Sequence, residues 1–188
     1  MNNKKIILGI TGTNGAGKGT VVEYLVKNHG FAHFSASALI SEEIEKRKMP
    51  VNRESMIEVG NDLRAKFGAG FIAQELIKRA LQTNKNAIVE SIRTVGEIEK
   101  LREVGGILLA VDALQKLRYK RNLKRGSNKD NVTWEEFVDQ ELRESESTDP
   151  NKQNLIACRD RADYRLENNG SLEDLYEQIE KILKILKI

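Results

Sequence analysis

The chain predicts an α/β fold of three layers, with a five-stranded parallel sheet enclosed between helices. Three observations predict it. Short apolar runs alternate with amphipathic stretches along all 188 residues. Those runs show no in-out polar alternation, as expected of strands buried on both faces. A glycine-rich loop joins the first run to the first helical stretch, which is where such sheets place their ligand.

The elements follow in order. Lys4–Ile10 reads as a buried strand that ends in turn residues. After the loop, Val21, Val22, Leu25 and Val26 recur at helical spacing until Asn28–Gly30 stops them. Phe31–Phe34 is the second strand, and Ala36–Lys48 a helix ended by Pro50. Asn52 can cap a helix through Phe67, with Met56, Ile57 and Leu63 turned inward. Gly68 and Gly70 interrupt it, and Phe71–Leu81 resumes the helical period. Asn86–Glu90 is the third strand, and Val95–Glu103 a short helix closed by Gly105–Gly106. Ile107–Asp112 is the fourth strand, followed by a basic helix, Ala113–Arg125, stopped by Gly126.

Thr133 can cap an acidic helix over 134–146, with Trp134, Phe137 and Leu142 on one side. Asp163–Glu167 is the fifth strand. Ser171 can cap the closing helix, with Asp174 standing where a capping box carries Glu or Gln. Leu172, Leu175, Ile179, Ile182 and Leu183 would form its inner face.

Composition narrows the class. Apolar residues make 39% and charged residues 31%, a globular balance. No apolar run approaches the roughly 18–20 residues that span a bilayer, and no leader pattern is evident, so a cytoplasmic location is expected. The single cysteine, Cys158, excludes an intrachain disulfide. His29 and His33 stand apart, without a zinc-type cluster. A net charge of +3 and 5% aromatics make nucleic acid an unlikely partner.

The chemistry gathers behind the strand ends. Gly12-Thr13-Asn14-Gly15-Ala16-Gly17-Lys18-Gly19-Thr20 lies between a strand and a helix. Its glycines let backbone N–H groups curl around a phosphate chain, the helix adds its positive end, and Lys18 adds a full charge. Asn14, Gly15, Ala16, Gly17, Lys18, Gly19 and Thr20 are therefore the expected donor-binding residues. Glu90 ends the third strand, where an acid can face Mg²⁺ through water, and Arg93 follows at a distance suited to clamping a phosphate. Glu97 is one turn from Arg93 and a candidate partner for it. Arg118, Arg121 and Arg125 can share one face of the basic helix and meet a transferring phosphoryl group. A merely solvated helix face is the plain alternative.

These motifs carry a resemblance. The GxxxxGKGT form at residues 12–20 resembles the P-loop of nucleoside monophosphate kinases, adenylate kinases above all. Glu90-Ser91-Ile92-Arg93 is similar to a shortened Asp-Gly-Phe-Pro-Arg segment of that family, and to an Asp-Gly-Ile-Arg form in archaeal nucleotide-kinase relatives. The Arg121-x-x-x-Arg125 spacing resembles the start of the adenylate kinase lid. The later part, Val111-Asp112-Ala113 with Ala162-Asp163-Tyr164 and Asn168-Asn169-Gly170-Ser171, resembles dephospho-CoA kinases.

The resemblance implies a P-loop NTPase architecture of nucleoside monophosphate kinase type. Its core would cover about 1–34, 84–113 and 160–188, with an acceptor-binding helical insertion at 36–82 and a lid at 118–150. It implies ATP and Mg²⁺, with Mg²⁺ held mainly by nucleotide oxygens and waters and met by Glu90 through water; Thr20 is only a candidate ligand. Lys18, Glu90, Arg93, Arg121 and Arg125 would be catalytic, Asn169 would border adenine, and Ser35, Arg64 and Arg93 would hold a nucleotide acceptor. Arg47 and Arg53 are lesser acceptor candidates. The Ser35–Ser41 segment lacks the Asp and Arg of adenylate kinases, which puts AMP in doubt as the acceptor. Dephospho-CoA kinase and a nucleotide-dependent regulatory ATPase stay open as alternatives.

Overall fold

The structure, a computed structural model, describes residues 5–126 and 132–188. Of the sequence expectations, Lys4 and residues 127–131 of the lid lie outside the described residues. Among the described residues five parallel strands form one sheet in the order β2-β3-β1-β4-β5. They are β1 (Ile7–Thr11), β2 (Ala32–Ser35), β3 (Ala87–Glu90), β4 (Ile107–Asp112) and β5 (Tyr164–Glu167). The helices are α1 (Lys18–His29), α2 (Ala36–Lys46), α3 (Arg53–Phe67), α4 (Phe71–Leu81), α5 (Val95–Glu103), α6 (Gln115–Arg125), α7 (Trp134–Ser145), α8 (Leu155–Asp160) and α9 (Leu172–Leu186).

Neighbouring residues on a strand serve opposite layers because side chains alternate across the sheet. Ile7, Val89 and Leu108 pack with α2, α3, α4, α5 and Cys158 of α8 in one apolar cluster. Leu8, Ile10, Ile88, Leu109, Val111 and Leu166 pack with α1 and α9 in the other. Helices cover both faces at the centre of the sheet, so β1, β3 and β4 are apolar along most of their length, whereas the edge strands β2 and β5 carry His33, Ser35, Arg165 and Glu167. The helices of 36–81 share the first cluster with the sheet, so they are built onto the core.

Local chemistry sets the boundaries. Asn52, Thr133 and Ser171 each cap their helix in a reciprocal box. Asp174 serves in the last of these, donating its N–H to Ser171 Oγ at 3.1 Å and accepting from Ser171 N at 2.9 Å. The shorter acid closes the box as well as Glu would. α6 begins two residues later than expected because Asp112 Oδ1 takes the Ala113 N–H and Asn169 Oδ1 takes the Leu114 N–H. α8 has no counterpart among the sequence expectations. Six residues are too few for a periodic signal, although Asn154 caps it through the Ala157 N–H at 3.0 Å.

Leu172, expected on the inner face of its helix, is 52% exposed, and two apolar residues read at helical spacing are exposed as well, Val26 at 39% and Leu142 at 65%. Leu142 lies off the Phe137–Glu141–Glu144 face that α7 turns inward, and Leu172 sits in the first turn of α9. Among the described residues no helix is long and apolar enough to cross a membrane.

Candidate functional site

Gly12 leaves β1 at φ +141°, and a Cβ there would stand 2.2 Å from the Val111 carbonyl oxygen. Only glycine lets the loop pass so close to β4. Gly15 and Gly17 also have positive φ, +76° and +103°. A Cβ on Gly17 would meet Asn168 Nδ2 at 2.1 Å. That amide donates to the Ala16 carbonyl at 2.8 Å and pins the loop from the end of β5. Arg121 in turn donates to Asn168 O at 3.0 Å and to its Oδ1 at 3.3 Å. α1 has Gly17 as N-cap and no side-chain cap, so the N–H groups of its first turn face the loop's concavity. This is a preformed anion cradle. Gly19 differs from the other loop glycines, since a Cβ there meets nothing within 4 Å.

Lys18 folds back on the loop, its Nζ donating to Gly12 O at 2.8 Å and Thr13 O at 2.9 Å. Burial lowers its pKa to about 7, with Arg93 adding to the effect while Glu90 and Glu144 oppose it. Glu90 ends β3 and is half-buried. Burial pulls its carboxyl upward, but the His33 hydrogen bond and the charges of His33, Lys18 and Arg93 outweigh this and hold it below the ordinary carboxylate range. His33, expected to stand apart, lies on β2 with Nε2 2.8 Å from Glu90 Oε2, because parallel pairing sets β2 beside β3. His29 likewise meets Glu180, at 2.7 Å.

Ser91 adopts φ +73°, uncommon for a residue with a side chain. That turn lets the Ser91 and Ile92 N–H groups share the Ile10 carbonyl, at 2.9 and 3.0 Å, and aims the following arginine out of the sheet. Arg93 then donates through Nη1 to Glu144 Oε2 at 3.2 Å and to Gln153 Oε1. It does not pair with Glu97 through its side chain. Glu97 Oε2 accepts the Arg93 backbone N–H at 2.7 Å, and Glu97 Oε1 takes Arg64 Nε at 2.9 Å. Arg64 and Glu97 are 2% and 1% exposed, so the arginine expected to hold an acceptor belongs to a buried ion pair. Its outer end still reaches a cavity wall.

The basic helix divides. Arg118 turns inward, donating to Ala113 O at 2.8 Å and pairing with Glu141 of α7. Its guanidinium lies 5.9 Å from the Phe137 ring centre. Arg121 and Arg125 face the loop, and Arg125 Nη2 donates to Asn14 Oδ1 at 3.1 Å. Ser35 is taken up as the N-cap of α2, so Ser37 and Ser41 line the neighbouring cavity in its place. Asn169, expected beside adenine, gives its side chain to Leu114 N and Glu167, and Asn168 makes the loop contact one residue earlier. The role of Asn168 was missed because adjacent asparagines in a turn look alike in sequence.

Two cavities meet here. One, of about 560 Å³, is walled by the loop, Glu90, Arg121 and Arg125. The other, of about 460 Å³, is walled by α2, α3, Arg93, Glu144 and Gln153. Asn14, Lys18, Glu90 and Arg125 line both. Among the described residues no group of three or more His, Cys, Asp or Glu is placed to hold a metal.

Comparison with known proteins agrees with this picture. A family model described as an AAA domain matches residues 11–138, from the end of β1 into α7. A UPF0200 protein of Pyrococcus abyssi is 32% identical over 186 residues, covering 95% of this chain and 96% of the relative. Among solved structures, TT1252 from Thermus thermophilus superposes with a TM-score of 0.66 at 23% identity, covering 97% of this chain and 98% of that one. Shikimate kinase from Acinetobacter baumannii, in complex with shikimate, superposes with a TM-score of 0.58 at 17% identity, covering 98% and 94%. At those identities the structures show a shared P-loop kinase-like fold. With its anion cradle, its parallel sheet and a relative matched almost end to end, the chain belongs to the UPF0200 family and carries that family model's AAA domain.

Proposed function

We propose that the chain is an ATP-dependent phosphotransferase that moves the γ-phosphoryl group to a small nucleoside monophosphate-type acceptor. The observation that carries this reading is the pair of cavities sharing Asn14, Lys18, Glu90 and Arg125. A nucleotide hydrolase needs one phosphate cradle; a second cavity of ligand size, opening on the same lysine and acid, suits a second substrate.

The residues fit Mg–ATP. The loop amides and the first turn of α1 suit the phosphate chain, Glu90 would meet the cation through water, and Thr20 would offer a hydroxyl. When bound, Mg–ATP supplies the transferable group and the divalent charge that screens it. Lys18 leaves the Gly12 and Thr13 carbonyls to meet the phosphates and regains its proton as their charge approaches. Arg121 and Arg125 bring positive charge to the rim of the loop cavity, where charge on the phosphoryl oxygens would develop. Asn168 keeps the loop amides aligned. The helical insertion at 36–82 forms the acceptor wall, and α6 and α7, the described helices of the 118–150 segment, act as the lid. Positioning and charge supply most of the rate, with no covalent intermediate. A cytoplasmic setting, where ATP is available, goes with this reading.

One observation favours a hydroxyl acceptor such as dephospho-CoA as a second reading. Glu90 is ionised, oriented by His33 and open to both cavities, as a proton acceptor for a hydroxyl would be. A coupled assay of ADP release against a panel of nucleoside monophosphates and dephospho-CoA decides between them. Acceptor-stimulated turnover is expected, falling at least about a hundredfold in Lys18→Ala. Turnover that ignores every acceptor and survives Lys18→Ala would refute the kinase.

A further inference from the structure

The cavity of about 460 Å³ holds an arrangement that the transfer reaction itself does not require. Five cationic side chains line it among the described residues: Lys18, Arg53, Arg64, Arg93 and Arg125. Lys18 and Arg125 open on the loop, and Arg64 is neutralised by Glu97. The remaining two, Arg53 at the start of α3 and Arg93 after β3, converge on one carboxylate. Glu144 Oε1 takes Arg53 Nη2 at 2.6 Å, and Glu144 Oε2 takes Arg93 Nη1 at 3.2 Å. Glu144 is 8% exposed.

Helical spacing explains how that carboxylate arrives there. Phe137, Glu141 and Glu144 fall on one face of α7. Phe137 packs against Tyr119 and Trp134, and Glu141 binds Arg118 and Gln115. Those contacts seat α7 on α6, and Glu144, next along the same face, projects into the acceptor cavity. One oxygen on each of two guanidiniums is how a bound oxyanion would lie between them. Around this cavity, among the described residues, Lys18, Arg53, Arg93 and Arg125 face two carboxylates, Glu90 and Glu144, with Arg64 matched by Glu97, so positive charge is in excess and a dianion is the better occupant.

We propose that Glu144 is a resident competitor that occupies the Arg53–Arg93 pair in place of a dianionic oxyanion of the acceptor, such as a phosphate monoester. The proposal rests on the two-substrate reading of the site and adds to it a carboxylate that regulates entry of the second substrate. Entry of the acceptor displaces Glu144, and α7 shifts with it. The competitor also sets a threshold. An acceptor bearing only a carboxylate gains little over Glu144, whereas a phosphate does.

The test uses the full chain saturated with Mg²⁺ and a non-hydrolysable ATP analogue, so that the loop is filled, and titrates inorganic phosphate by calorimetry. Glu144→Gln is expected to bind phosphate about five- to tenfold tighter than the parent. Glu144→Asp, too short to span both arginines, should also bind more tightly and serves if the first variant folds poorly. Glu135→Gln, on the exposed face of the same helix, should match the parent. Adding Arg53→Met to Glu144→Gln should remove the gain. Equal phosphate affinity in the parent, Glu144→Gln and Glu144→Asp, with the nucleotide heat intact, would overturn the competitor and leave the donor site standing. Absent nucleotide heat with the phosphate differences preserved would overturn the donor reading and leave the competitor standing.

Discussion

Replacing Glu97 by Ala should cost more stability than any substitution at the cavity surface. The residue satisfies two groups at once: Arg64 Nε at 2.9 Å and the Arg93 N–H at 2.7 Å. With Arg64 and Glu97 only 2% and 1% exposed, water cannot take over either role. Removing one partner of a buried pair costs about 3–5 kcal/mol, because the other charge is left uncompensated. The stranded Arg93 N–H adds roughly 1–3 kcal/mol, and the two terms overlap, so a total near 4–6 kcal/mol is expected. In a chain of 188 residues that corresponds to a melting point lower by roughly 10 °C or more. Urea unfolding followed by circular dichroism reads the loss directly. Arg64→Leu alone should cost about as much as breaking the pair from the other side, whereas Arg64→Leu with Glu97→Leu together should recover most of it, leaving the Arg93 N–H as the residual cost. A loss below about 1 kcal/mol for Glu97→Ala, or a double variant worse than either single one, would show that the pair is solvated and the reasoning wrong.

The further predictions concern the loop. With its pKa lowered to about 7, Lys18 is mostly neutral at pH 8 in the free protein, and bound phosphates restore the proton. Mg–ATP binding at pH 8 should therefore take up a sizeable fraction of a proton, read as the dependence of calorimetric heat on buffer ionisation enthalpy. No uptake would mean that Lys18 is charged before binding. The same shift makes folding stability rise with pH between about 7 and the ordinary lysine value of 10.5, because across that window the unfolded chain holds a proton that the folded chain has lost. Gly17→Ala places a Cβ 2.1 Å from Asn168 Nδ2 at a φ of +103°, so it should break the Asn168–Ala16 bond and cost about 1–3 kcal/mol. Asn168→Ala, which removes the clash in the double variant, should recover part of the stability but not the nucleotide affinity. Full affinity in Gly17→Ala would show that Asn168 does not shape the loop.

The secondary structure was legible because its signals are local. Apolar runs bounded by Gly and Asn marked the strands, and the caps at Asn52, Thr133 and Ser171 lie within three residues of what they cap. The loop was legible for the same reason, since one strand, one glycine-rich turn and one helix suffice to build a cradle. The misses have local causes too. The six residues of α8 are too few to show a period, and Val26, Leu142 and Leu172 satisfy helical spacing while pointing at solvent.

The chain by itself determined a parallel α/β sheet, a glycine-rich loop at residues 12–20 between a strand and a helix, and an acid and an arginine behind β3. Only the tertiary structure decided which charges meet. Arg64 with Glu97 lie 33 residues apart, His33 with Glu90 57, and Arg53 with Glu144 91. A charged side chain on an amphipathic helix has the same sequence signature whether it faces water, a buried partner or a cavity. The difference is made by what the fold sets opposite it, and by how much water the fold leaves between them.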